Sequence, residues 1–161
     1  MLRRRTGGYF ERIEGAPAPI SILVKRRVAL SEVDVMGIAW HGRYPVFFEE
    51  AWQAMARQCG LSYQDFFEAN VQAPIVQIHI DYHRPLRLEE EFTVRTLIPW
   101  CEGAKFLTEY EIRAHDGTLI TTGYTVQLFI DGRTGEPLIA SPDLLERMRA
   151  RWKAGEFSCL E

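Results

Sequence analysis

Apolar residues fall on alternate positions at Ile22, Val24, Val28 and Leu30, a period of two that predicts a strand, with Arg26 the exception to it. Between Tyr44 and Cys59 the period lengthens. Tyr44, Phe47, Phe48, Ala51, Trp52, Met55 and Cys59 recur at helical spacing, and Glu49, Glu50, Gln53 and Arg57 fall between them. Pro45 suits the first turn of that helix and Gly60 suits its stop. Its broad aromatic face predicts packing against a sheet. Four more alternating segments come after it. Val76, Ile78, Ile80 and Tyr82 form the first, before Pro85. Phe92, Val94, Thr96 and Ile98 form the second, and Phe106, Thr108, Tyr110 and Ile112 the third. Tyr124, Val126, Leu128 and Ile130 form the fourth, ending at Asp131-Gly132. His115-Asp116-Gly117-Thr118 is a hairpin signal, and short turns of this kind favour an antiparallel sheet. Ser141 as N-cap with Pro142 at the first position predicts a last helix, with Leu144, Leu145, Met148 and Trp152 as its apolar face. The order is strand, long helix, four strands, short helix, which is an α+β arrangement. Residues 1–19 read as an irregular leader, 20–153 as one domain, and 154–161 as a tail.

Composition narrows the class. A chain of 161 residues, 47% hydrophobic, supports one domain with a sizeable core. The net charge of −3 argues against a general nucleic-acid binder. Arg3, Arg4 and Arg5 read as a solvated tail. Cys59, Cys101 and Cys159 are an odd number without close spacing, so reduced thiols in a cytoplasmic protein are expected. No apolar run approaches the roughly 20 residues of a membrane helix.

The chemistry concentrates between Ser31 and Tyr44, in S-E-V-D-V-M-G-I-A-W-H-G-R-Y. Asp34 stands ahead of Gly37 and His41, just before the long helix. A carboxylate in a glycine turn beside a helix N-terminus can attack or deprotonate a substrate, and the helix N–H groups can stabilise an oxyanion. The same Asp34 can equally cap the helix or its own turn. His79, Asp81 and His83 share a strand face, but His79 and His83 would lie about 13 Å apart, too far for one ion to take both easily. A polar strand face is the expected role of that set, and no metal is expected.

The stretch D-V-M-G-I-A-W-H-G-R-Y followed by F-F-E-E-A resembles the hotdog-fold acyl-CoA thioesterases. I-D-Y-H-R-P at 80–85, G-A-K-F at 103–106 and G-Y-T-V-Q-L-F-I-D at 123–131 add to the likeness, which spans about residues 22–150. The branch it is most similar to is the 4-hydroxybenzoyl-CoA thioesterase type, with the Tol-Pal-associated enzymes. The resemblance implies a long helix wrapped by an antiparallel sheet of about five strands, and pairing into homodimers or homotetramers with sites at subunit interfaces. It implies that Asp34 is nucleophile or general base. It also implies that Gly37 shapes the turn, and that His41 contributes its side chain and its backbone N–H. Trp40, Tyr44, Glu49 and Lys105 are candidate substrate contacts. No cofactor is implied, because coenzyme A is part of the substrate.

The basic cluster that grips nucleotide phosphates in the 4-hydroxybenzoyl enzyme is not reproduced. Cys101, Glu102 and Gly103 stand there, with only Lys105 nearby. The expected activity is acyl-CoA hydrolysis. The rivals are hydrolysis of an acyl-carrier-protein thioester and a non-catalytic acyl-CoA-binding module. Asp34 with Gly37 and His41 argues against the module, since a pure binder needs no carboxylate beside a carbonyl.

Overall fold

The computed structural model describes residues 8–158 and 160. Arg3 to Arg5 and Cys159 lie outside the described residues. Five strands form one antiparallel sheet: β1 (Ile20–Arg27), β3 (Ile75–Tyr82), β4 (Glu91–Ile98), β5 (Lys105–Ala114) and β6 (Leu119–Leu128), in the spatial order β1-β4-β5-β6-β3. Helix α1 (Tyr44–Cys59) lies across one face of it. Pro45 sits in its first turn and Gly60, at φ 74°, ends it. Most of the expected apolar set turns inward: Tyr44, Phe47, Phe48, Ala51, Met55 and Cys59 are buried, while Trp52 is half-buried. This is the hotdog arrangement that the resemblance implied.

Two features let the helix sit so close to the sheet. Phe48 stacks on Tyr110 with ring centroids 4.2 Å apart. Beneath Phe48, β6 carries Gly123, where a Cβ would meet a Phe48 ring carbon at 2.8 Å. The core face of β6 is therefore Thr121, Gly123, Thr125 and Gln127, all buried, while Tyr124, Val126 and Leu128 are half-buried on the other side. One cluster of the core joins Phe47, Phe48, Phe92, Tyr110 and Ile112. A second joins Met55, Trp100, Phe106 and Phe129 to α3 (Asp143–Lys153).

Several boundaries differ from the sequence reading. β1 stops at Arg27, and Leu30, which the apolar alternation includes, is 75% exposed in a 3-10 turn, Leu30–Glu32. The Glu32 carboxylate closes that turn by accepting the Ala29 N–H at 2.9 Å. The fourth segment begins earlier, at Leu119, and breaks at Phe129, which is buried and donates its N–H to Ala104. Beyond the break, β7 (Ile130–Asp131) pairs instead with β2 (Val71–Gln72). Helix α2 (Tyr63–Ala69) is an element that the apolar periods do not announce, although its cap signal is plain. Ser62 and Asp65 form a capping box, and Asn70 ends the helix at φ 51°. Pro142, not Ser141, takes the cap position of α3, and Ser141 Oγ accepts from Arg149 at 2.8 Å.

The leader has no regular structure from residue 8 to 19, yet it is anchored. The Tyr9 hydroxyl donates to Asp81 at 2.6 Å and shares a second bond with Thr122 at 2.7 Å, tying β3 to β6 on the outer face of the sheet. Arg12 pairs with Glu109 at 2.6 Å. Phe157, beyond α3, packs into the core. No helix among the described residues is long and apolar enough to cross a membrane.

Candidate active site

Residues Glu32 to Trp40 fold back on themselves as a short hairpin. The Asp34 N–H donates to Ile38 O at 2.9 Å, Val33 bridges Ala39, and the Trp40 N–H donates to Glu32 O at 2.9 Å. The tip closes because Gly37, at φ 72°, accepts the left-handed conformation and donates to Asp34 O at 3.0 Å. The second arm is fastened to the β3–β4 connection, with Ala39 N–H to Leu86 O at 2.8 Å and Leu88 N–H to Gly37 O at 3.0 Å.

Asp34 is half-buried in this hairpin. Its Oδ1 accepts the Met36 N–H at 2.8 Å, so one oxygen caps the turn. Its Oδ2 has no hydrogen-bond partner among the described residues. Both roles that the sequence left open are thus available to one carboxylate. The long helix does not start directly behind it. A 3-10 turn, His41–Arg43, comes first. The His41 carbonyl accepts from the Tyr82 hydroxyl at 2.9 Å, while its N–H meets no acceptor among the described residues. The first turn of α1 has no side-chain cap either.

The other candidate residues divide. Trp40 is half-exposed, and its ring lies 5.0 Å from that of His41. It can approach so closely because Gly42 has no side chain, as a Cβ would overlap the Trp40 ring. Tyr44 is not on an open surface. It is 2% exposed, and its hydroxyl accepts the Leu86 N–H at 3.3 Å. Glu49 is exposed on α1 and takes a long bond from Gln53 at 3.4 Å. Lys105 begins β5 opposite Leu128, at the far end of the sheet from the hairpin. The loop before Lys105 is committed to structure. Glu102 accepts from Trp100 Nε1 at 2.7 Å, and the buried Arg149 donates to the carbonyls of Cys101 and Gly103, each at 2.7 Å. Cys59 and Cys101 are free and buried, and burial pushes the Cys59 thiol up to about 11, so it is inert.

On the polar strand face, His79 pairs with Asp81 at 3.0 Å and His83 bonds Thr122 at 2.9 Å. The Tyr9 hydroxyl, with help from His79, holds the Asp81 carboxyl below the usual range. Burial and the Asp81 contact push the Tyr9 phenol up to about 12. Among the described residues, no group of three or more His, Cys, Asp or Glu side chains is placed to hold a metal.

Sequence reasoning missed a cleft of about 850 Å³ between α1 and α2, walled by Trp52, Phe66, Phe67 and Val71 and floored by Gln127. Tyr63 and Phe67, on α2, are 83% and 70% exposed. The Ser-x-x-Asp box ahead of Phe66 and Phe67 was the available signal for the helix that forms one wall. Gln127 faces Ile75 at one end of β3, whereas Thr121 faces Tyr82 at the hairpin end. Six residues of β6 separate those positions, or roughly 20 Å. Within one protomer the cleft and the Asp34 hairpin thus lie at opposite ends of the sheet.

Known proteins resemble this chain in sequence or in structure. YneP of Bacillus subtilis, whose given name proposes an acyl-CoA thioesterase, is 31% identical over 111 residues, covering 69% of this chain and 80% of that protein. The acyl-CoA thioester hydrolase YbgC of Escherichia coli is 24% identical over 105 residues, 65% of this chain and 78% of that one. The DHNA-CoA thioesterase from Staphylococcus aureus superposes with a TM-score of 0.71 at 25% identity, over 84% of this chain and 88% of that one. The sequence profile of the Thioesterase-like superfamily matches residues 28–148, and the chain belongs to that superfamily.

Proposed function

We propose that the protein is an acyl-CoA thioesterase that releases a free acid and coenzyme A, with Asp34 as general base or nucleophile. The observation that carries this reading is the hairpin itself. It holds a carboxylate with one oxygen bound and the other without a partner among the described residues, in the same segment as the His41 N–H, which has no acceptor among them either. As base, Asp34 takes a proton from water while the water oxygen attacks the thioester carbonyl. The carbonyl oxygen gains charge, which the His41 N–H is suited to receive. Collapse of the tetrahedral intermediate expels the thiolate, which recovers the proton. As nucleophile, Asp34 attacks the carbonyl and expels the thiolate, leaving a mixed anhydride, and water then hydrolyses the anhydride to the free acid and the Asp34 carboxylate, with a proton released in that step passing to the thiolate. The relatives named for acyl-CoA hydrolysis support the substrate class. The D-V-M-G-I-A-W-H-G-R-Y string supports placement near the 4-hydroxybenzoyl and Tol-Pal-associated branch.

The reading includes a cytoplasmic homodimer or dimer-based tetramer. β3 is an edge strand with Ile75, Val76 and Ile78 each about half exposed, at 54%, 55% and 45%. Such an edge invites a second strand. If two β3 strands pair antiparallel about a two-fold axis, the Ile75 end of one lies beside the Tyr82 end of the other. The cleft of one protomer then meets the Asp34 hairpin of its partner, and the two separated halves of the site come together. A carrier-protein donor is the second reading, favoured by the loop at 101–103, which offers no cationic grip for nucleotide phosphates.

The test is thiol release from a panel of aryl and short aliphatic acyl-CoA thioesters, with the matching acyl-carrier-protein thioesters in parallel, and light scattering on the same sample. Turnover of acyl-CoA by a dimer or tetramer is expected. Turnover of carrier-protein thioesters alone selects the second reading. Binding of acyl-CoA without release of thiol refutes both.

A further inference from the structure

Arg26 breaks the apolar period of β1, on the side of the strand that faces α1, and the chemistry of Asp34 and His41 does not account for it. Its guanidinium lies over the Phe47 ring, 4.9 Å from the centroid. One nitrogen pairs with Glu50 of α1, and the other donates to Glu32 Oε1 at 3.0 Å. Glu32 is 3% exposed. Its Oε1 also accepts from Arg43 at 3.2 Å, and its Oε2 accepts the Ala29 N–H at 2.9 Å. Burial alone would raise the Glu32 carboxyl, but Ala29, Arg43 and Arg26 together hold it below its ordinary value.

We propose that Glu32 is the positioning residue of the catalytic hairpin, holding it to β1 through Arg26 and to the head of α1 through Arg43. The proposal rests on the catalytic reading of Asp34. Glu32 stands two residues before Asp34, and Arg43 stands two residues after His41. The Glu32 carbonyl also accepts the Trp40 N–H, so this residue fastens both arms of the hairpin. Arg43 Nε is buried and has no partner among the described residues, so Glu32 is the anion that its guanidinium has there. A buried carboxylate that faces two cations cannot move without losing both ion pairs. That is how a site is kept within a fraction of an ångström of its productive geometry. Glu32 touches no reacting atom in this scheme. It acts through Arg43 and through the hairpin backbone.

Glu32→Gln keeps the size and one acceptor and removes the charge. Arg43→Gln removes the facing cation, which is partly exposed and can be changed with less risk to folding. Both variants, the double variant, Asp34→Asn and the parent are compared for kcat, KM and melting temperature on the best acyl-CoA of the panel. The expected result is a fall in kcat of about 10- to 100-fold for each single variant, the scale of a displaced catalytic group. KM should stay within about twofold, because neither Glu32 nor Arg43 lines the cleft. The double variant should resemble either single one, since the two residues work as a unit.

A kcat within about twofold of the parent for Glu32→Gln overturns the proposal, and so does a multiplicative double variant. If Glu32→Gln does not fold, Arg43→Gln decides on the same criteria. An inactive Asp34→Asn beside a fully active Glu32→Gln refutes positioning alone. A fully active Asp34→Asn refutes the catalytic reading and the positioning role with it.

Discussion

Asp34→Asn separates the two jobs open to this carboxylate. The amide oxygen of asparagine can take the place of Oδ1 and accept the Met36 N–H, whose present distance is 2.8 Å. The turn therefore keeps its hydrogen bond but loses its charge. A bond to an ionised acceptor is worth roughly 1 kcal/mol more than a neutral one, so stability should fall by about that much. For a chain of this size that is a drop of about 2–4 °C in melting temperature. The backbone contacts of the hairpin, Asp34 N–H to Ile38 and Gly37 N–H to Asp34, do not involve the side chain and remain. The catalytic cost is of a different order. Without a base or nucleophile, kcat should fall by about 10²–10⁴. KM should change little, because the cleft walls are untouched.

The assay is thiol release under saturating acyl-CoA, with a thermal melt and light scattering on the same preparation. The reasoning fails if the folded, oligomeric variant turns over within about threefold of the parent, because a group that only caps a turn is replaced by asparagine at almost no cost. Asp34→Ala is the useful companion. It loses the cap as well as the charge, so it should match Asp34→Asn in rate and melt lower by about a further 1 kcal/mol.

The same geometry sets other expectations. Nothing lies within 4 Å of a Cβ at Gly37, so its constraint is the left-handed backbone alone. Gly37→Val should cost roughly 1–2 kcal/mol and much of the activity, whereas Gly37→Asn, which tolerates that conformation, should retain most of both by melt and rate. Phe67→Ala removes an exposed wall of the cleft and should raise KM for aryl thioesters by roughly 10-fold at unchanged kcat. Equal KM values would place acyl binding elsewhere. Ile78→Lys on the exposed edge of β3 should give a monomer by light scattering and abolish hydrolysis, and an active monomer would refute the shared site. The Asp81 carboxyl is depressed mainly by Tyr9, so its contribution to stability is complete above the ordinary aspartate value and is lost as pH falls through its lower folded value. Tyr9→Phe should therefore raise the midpoint of acid unfolding, measured by circular dichroism, and an unchanged midpoint would remove Tyr9 from that role.

How much of this was legible in the sequence depends on how each element is stabilised. The long helix was readable because its apolar stripe, its Pro45 start and its Gly60 stop all agree. β4 and β5 were readable because their inward residues are mostly apolar, with only Thr96 and Thr108 among them polar. β6 misleads the eye, because its inward face is Thr121, Gly123, Thr125 and Gln127. There the requirement is room for Phe48, and hydrophobicity is secondary. Helix α2 was hidden by its length of seven residues, too short for a period to show, although its capping box was visible. The Asp34 hairpin was half legible. Asp34, Gly37 and His41 stood out as residue types, but the pairing of Val33 with Ala39 is a matter of backbone register that no composition reveals. The burial of Tyr44 and the remoteness of Lys105 are likewise tertiary facts. The cleft as a whole was not legible, since it joins α1, α2 and β6 across some 75 positions of sequence, from Trp52 to Gln127.

The hairpin also explains why the exception at Arg26 is tolerated in β1. A loop that must present a carboxylate at its surface cannot be held by apolar packing alone, and its tip residues Val35 and Met36 are 104% and 70% exposed. Something polar has to fix its base. Glu32 does so where solvent is excluded, and it needs cations to be stable there, which Arg26 and Arg43 provide from two different elements. One charged residue on the helix-facing side of an edge strand is the condition for an exposed turn of defined shape. The same logic links the irregularities of this segment: a glycine at the tip for the left-handed turn, a glycine at 42 for the Trp40 ring, and a buried acid at the base. Each breaks a local pattern of strand or helix, and together they hold Asp34 and His41 on one short stretch of chain at the edge where a second copy is expected to dock.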